Sequence, residues 1–139
     1  MAELIYSDPD RLKAWALERY PDAAVDGDTH AMGYEIDGKL VVVCLFNGFT
    51  RWECNMHVVS DGSRRWCSRG FLAAAFAYPF IQLGVQRVTA LVPAKNTDAL
   101  VLDLRLGFVP EGVKRAAYGD DDLVVLGMLR GNCKWLPEV

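Results

Sequence analysis

The stretch 57–84, HVVSDGSRRWCSRGFLAAAFAYPFIQLG, changes character twice. It opens as the end of a strand, runs through a short polar loop dense in arginine, and becomes a long apolar segment. Phe71, Leu72, Ala75, Phe76, Phe80 and Leu83 recur there at helical spacing. The pattern predicts a helix over about 64–83, with Ser63 as N-cap and Leu83-Gly84 closing it. Pro79 removes one helical hydrogen bond and predicts a kink or a loosened turn. A helix that begins just after a strand offers unpaired N–H groups and the positive end of a dipole, which suits a phosphate or pyrophosphate. Arg64, Arg65 and Arg69 add positive charge at that joint.

On either side of this helix lie strands. Upstream, 51–59 (RWECNMHVV) alternates, with Trp52, Cys54, Met56 and Val58 on one face and Glu53, Asn55 and His57 on the other. Downstream, 86–92 (QRVTALV) is a second strand. Strand, helix, strand predicts a parallel pair joined by a right-handed crossover. Before them, 39–46 (KLVVVCLF) is apolar on both faces, as in a buried central strand. Asp37-Gly38 and Asn47-Gly48 are hairpin signals that tie it to the alternating segment 30–36 and to 51–59. At the N-terminus a short strand, 4–6, precedes a helix capped by Ser7 or Asp8. That helix buries Leu12, Trp15, Ala16 and Tyr20 and ends at Pro21. The segment 22–29 reads as a polar connection.

Beyond 92, Asn96 or Thr97 caps a short helix closed by Gly107, and a hairpin of 111–118 and 122–129 follows. Cys133 and Trp135 in the tail are expected to pack back on the core. The order predicts one domain, 1–139, of α/β (α+β) class: a mixed central sheet of about six to seven strands with helices on both faces.

Of 139 residues, 52% are hydrophobic and 24% charged, and the net charge is −3. An acidic pI of about 5.3 argues against nucleic acid as a partner. The four cysteines form no CxxC pair, and two histidines cannot complete a zinc spacing. The sequence therefore reads as reduced and cytoplasmic, with no metal. MAELIYSDPDR lacks the basic and apolar regions of a secretory signal, and no apolar run reaches the ~20 residues of a membrane span. A monomer or a homodimer is compatible with this composition.

The order of elements, together with Asn96, Gly107-Phe108 and Glu111-Gly112 at the joints, resembles the GNAT superfamily of acyl-CoA-dependent N-acetyltransferases. YPFIQLGVQRV and GMLRGNCKW are similar to small members of the kind found in phage genomes. The resemblance implies acetyl-CoA as acyl donor and an unidentified amine of a small molecule or protein as acceptor. It implies that the pantetheine arm pairs with the backbone of His57, Val58 and Val59. The pyrophosphate would lie in the following loop, at Arg64, Arg65, Trp66, Cys67, Ser68, Arg69 and Gly70.

Two registers of the family's loop signature fit. One starts at Arg64 and places Cys67 and Arg69 where the family has small residues. The other starts at Arg65 and places Ser68 and Gly70 there. Lost glycines restrict how closely backbone approaches phosphate, and the extra arginines offset this by charge. Asn96 either bonds the cofactor or only caps its helix. The acceptor amine needs a base: Glu53 acting through water, about 13 Å along the strand from His57, or His57 itself, with an ordinary pKa near 6.5. A backbone N–H near 56–58 would face the thioester oxygen. Many members carry a tyrosine acid at the place of Asp103 or Leu104. Asp103 is expected to be ionised at neutral pH, which leaves Tyr118 or Tyr34 as substitutes. The altered loop and the missing tyrosine also allow a second reading, a GNAT-fold binding protein of weak or no activity directed at a protein partner. The acidic run 120–122 reads as a solvated turn, or as an attraction for a cationic amine.

Overall fold

The computed structural model describes residues 1–23 and 25–137. Within the polar connection Ala24, and within the tail Glu138 and Val139, lie outside the described residues.

The apolar run predicted as the central strand is β3 (Lys39–Asn47), buried from Leu40 to Asn47. It forms hairpins with β2 (His30–Ile36) on one side and β4 (Glu53–Ser60) on the other. The tight turn to β2 holds Asp37 and Gly38 at φ 52° and 82°, the left-handed geometry that Asp-Gly accepts most readily. β1 (Ala2–Ile5) extends the sheet beyond β2. After β4 the chain forms α2, then β5 (Arg87–Pro93), α3 (Thr97–Leu106), β6 (Val109–Tyr118) and β7 (Asp121–Leu129). The seven strands are ordered β1-β2-β3-β4-β5-β7-β6. Six to seven strands in a mixed sheet match the expectation.

The two crossovers, β4-α2-β5 and β5-α3-β6, step the same way across the sheet. A right-handed path therefore puts α2 and α3 on one face. Phe71, Leu72, Phe76 and Phe80 of that layer join Cys44, Phe46, Met56, Val88, Leu106 and Phe108 in one core. The helix α1 (Pro9–Arg19), capped by Asp8, covers the other face, where Leu12 and Ala16 meet Leu40, Val43, Leu45 and Val59. Gly33 of β2 lets α1 come this close: a Cβ there would stand 2.6 Å from Leu12 Cδ2. Cys133 and Trp135 pack against the first core, as expected, and Trp135 Nε1 donates to Leu106 O at 2.8 Å.

Of three local readings, two are corrected and one is borne out. The helix after β4 begins at Arg69, not at 64, and spans Arg69–Ala77. Ser63 does not cap it: its Oγ accepts from Arg65 N within the turns before the helix, and its N–H and hydroxyl donate to Asp61 Oδ1. Trp66 is 2% exposed, and its indole N–H donates to Ser63 O. Burying that ring winds 61–67 into turns, and Ser68 becomes the cap that accepts from Phe71 N. The second, a loosened turn at Pro79, is borne out: the helix continues through it. It widens into a π-helical turn, Tyr78–Gln82, closed by Leu83 N–H donating to Tyr78 O, which accommodates a residue with no N–H. Third, Trp52 precedes β4 and is 56% exposed, while its carbonyl accepts from Gln86 and Arg87.

Ser68→Ala should lower stability by about 1 kcal/mol, the usual loss for an N-cap, read as a shift of the urea midpoint.

Candidate functional site

β4 and β5 are hydrogen-bonded neighbours for only three residue pairs, Glu53–Arg87, Cys54–Val88 and Asn55–Thr89. Past that point β4 stays with β3 as far as Ser60–Val42, and β5 stays with β7 as far as Pro93–Leu123. The sheet therefore splits along its middle. Among the described residues no strand fills the gap, so backbone groups of 56–60 that face β5 are left for another partner. A cleft of about 380 Å³ occupies the split. Its walls are Met56 to Ser60 of β4, Ala90 to Pro93 of β5, the loop after β4, and the inner face of α3. Arg19 and Tyr20 reach it from the end of α1.

Of the expected site residues, the structure brings His57, Val58, Val59, Arg64, Trp66 and Asn96 together around this cleft. Arg65, Cys67, Ser68, Arg69 and Gly70 are outside its lining. Arg65 turns back to Asp61, 3.4 Å from its carboxylate. Arg69 stands over the Trp135 ring at 5.8 Å. The late start of α2 makes Ser68 its cap and puts Gly70 in the first turn, where a Cβ would meet nothing within 4 Å. Asn96 does two things: it lines the cleft, and its Oδ1 accepts from Ala99 N at 3.3 Å as the cap of α3.

His57 and Glu53 share one face of β4 but have different surroundings. Burial pushes the His57 imidazole below its usual pKa, so the ring is neutral at pH 7. Glu53 stands at the paired foot of the split, outside the cleft lining. It accepts from Thr89 Oγ1 at 2.9 Å and lies 3.7 Å from Arg87 Nε. Arg87 in turn reaches Glu111 at 2.7 Å. The acidic run is used within the β6–β7 turn: Asp121 accepts from Lys95 N, Asp122 from Ala116 N, and Asp120 pairs with Lys95 Nζ. Both substitutes for the tyrosine acid are engaged elsewhere. Tyr34 packs on Phe71 and takes the Ser68 hydroxyl, and Tyr118 bonds Asp22 and stacks on Tyr20.

One cleft residue departs from expectation. Asp103 is 9% exposed, and among the described residues its carboxyl has no hydrogen bond or ion pair. Burial pushes it up to about 7, so it is not simply ionised at neutral pH. The signal is present in the sequence: Ala99, Asp103 and Leu106 share the apolar stripe of a short amphipathic helix, and a carboxylate does not belong in such a stripe without a partner.

No family model and no curated protein sequence matches the chain. Its shape does match solved structures. A point mutant of spermidine N-acetyltransferase SpeG from Vibrio cholerae superposes with a TM-score of 0.78 at 14% identity, over 97% of this chain and 96% of that one. The same enzyme in complex with CoA and spermine superposes with a TM-score of 0.76 at 12% identity, over 94% and 96%. At such identities the likeness establishes the fold: a GNAT-like α/β fold, as the sequence pattern predicts.

A carboxyl whose folded pKa lies above its unfolded value of 3.8 stabilises the fold in its protonated form. That contribution is complete below pH 3.8 and drains away as pH rises through about 7. Asp103→Asn should therefore match the parent in urea at pH 4 and exceed it by about 2–4 kcal/mol at pH 8.

Proposed function

We propose that this chain is a single-domain N-acetyltransferase that moves the acetyl group of acetyl-CoA to a primary amine of a small molecule or protein. The observation that carries the reading is the parting of β4 from β5. It leaves a strand edge with free amide groups beside a cleft whose lining includes an arginine in the loop after β4. An extended arm bearing two amides and a pyrophosphate fits those features in order. The arm lies as an added strand along His57, Val58 and Val59, and the phosphates meet Arg64 and the loop 62–64. The fold shared with spermidine N-acetyltransferases supports the same reaction class.

Acetyl-CoA supplies the activated acyl group. The chain orients it and manages protons. A backbone N–H of β4 near Met56–Val58 bonds the thioester oxygen and stabilises the charge that develops there. His57 is favoured over Glu53 as base. It lines the cleft and is neutral at pH 7, whereas Glu53 is held by Thr89 and Arg87. Among the described residues, no helix is long and apolar enough to cross a membrane.

Titration calorimetry with acetyl-CoA tests the reading. Binding in the micromolar range is expected; no heat at millimolar cofactor would replace it with the binding-protein alternative. The two neighbouring arginines should separate. Arg64→Ala should weaken binding more than tenfold, and Arg65→Ala less than threefold, because Arg65 is committed to Asp61.

A further inference from the structure

Proton transfer to sulfur is the part of this chemistry with no evident agent. A thiol has a pKa of about 8.5, and a thiolate expelled into a narrow cleft is poorly solvated and quick to recombine. Tyr34 and Tyr118 are engaged with Ser68 and Asp22, Tyr6 and Tyr78 lie on a different pocket, and Tyr20, the tyrosine in the cleft lining, is hydrogen-bonded to Tyr118. We propose that the Asp103 carboxyl, on the buried face of α3 and in the lining of the split between β4 and β5, is the proton donor to the leaving thiolate. This rests on reading the split as an acyl-CoA site.

Three observations converge. Asp103 of α3 lines the same cleft as Met56 to Ser60 of β4, so a thioester lying along β4 shares that space with it. Its carboxyl is nine-tenths buried without a protein partner, yet neither oxygen is sealed off, and the cleft is the space beside it. Its protonated form is substantially populated at neutral pH through burial, with no neighbouring charge responsible. The titratable and charged groups around the same cleft are His57 on β4, Arg64 in the loop, Arg19 and Tyr20 on α1, and Asp98 at the start of α3. None of them makes an ion pair or hydrogen bond with Asp103.

The amine nitrogen forms a bond to the acyl carbon, and the C–S bond breaks with its electron pair on sulfur. The Asp103 O–H proton passes to that sulfur. The proton on the new amide nitrogen goes to His57. After the thiol leaves, solvent returns a proton to Asp103 and takes one from His57, so no other reactant is consumed.

Asp103→Asn should bind CoA within twofold of the parent and lose at least 30-fold in kcat with acetyl-CoA, while Asp103→Glu should recover part of that loss. The fall in parent kcat as pH rises above about 7 should vanish in the Asn variant. With the acetyl thioester of a nitro-substituted thiophenol, whose thiolate needs no proton, the Asn variant should be less than threefold slow. A variant that keeps its rate with acetyl-CoA, or is equally slow with both donors, overturns the assignment. Failure of the parent protein itself to bind CoA or transfer acetyl would instead remove the underlying reading.

Discussion

Everything distinctive about this molecule depends on where one parallel pairing stops. Parallel strands β4 and β5 hold each other for three residue pairs and then part. Each is kept straight by an antiparallel neighbour with a longer register, β3 for the one and β7 for the other. The split costs little, because most of the hydrogen bonds of both strands are already made on their outer sides. It also creates the one place in the sheet interior where an extended, amide-bearing molecule can complete a ladder. The delayed start of α2 leaves a loop after β4 from which the buried Trp66 and Arg64 line the gap.

Two ionisable groups of the cleft lining come from different elements, His57 from β4 and Asp103 from α3. Burial moves their pKa values in opposite directions, down for the imidazole and up for the carboxyl, and both moves favour the uncharged form. The cleft therefore combines an uncharged imidazole and a carboxyl still partly protonated at neutral pH with the positive charge of Arg64 in the loop after β4. This polarity suits a ligand whose own charge lies at one extremity. Over the same pH range the imidazole can take a proton and the carboxyl can deliver one.

Much of this architecture is legible in the residues, because local and global preferences agree. The doubly apolar 39–46, the Asp-Gly turn and the period-two pattern around it leave one solution for β2 to β4. Asn96 and Gly107, the latter at φ 116°, bracket α3 as any capped helix is bracketed. The start of α2 is illegible for a physical reason. Ser63 and Ser68 are equally good caps by chemistry, and what separates them is the burial of Trp66, a tertiary event that no local window contains. The splitting of β4 from β5 is likewise a property of their neighbours' registers. As for the site, motif positions place Arg64, Asn96 and the end of β4 at the cleft. They also spread the phosphate loop over Arg65 and 67–70, which helix geometry then draws away. Asp103 is visible only as a violation of its helix's apolar stripe.

Trp135 and Lys134 donate to the carbonyls of Leu106 and Arg105, the last turn of the helix that bears Asp103, from 29 positions further along the chain. A helix of ten residues has little stability of its own, and its open carbonyl end is finished by these distant side chains. Order of synthesis then matters. The far wall of the cleft receives its last two bonds only from the segment 134–135. A chain ending after β7 has its complete strand ladder and still lacks those two bonds to the helix that bears Asp103.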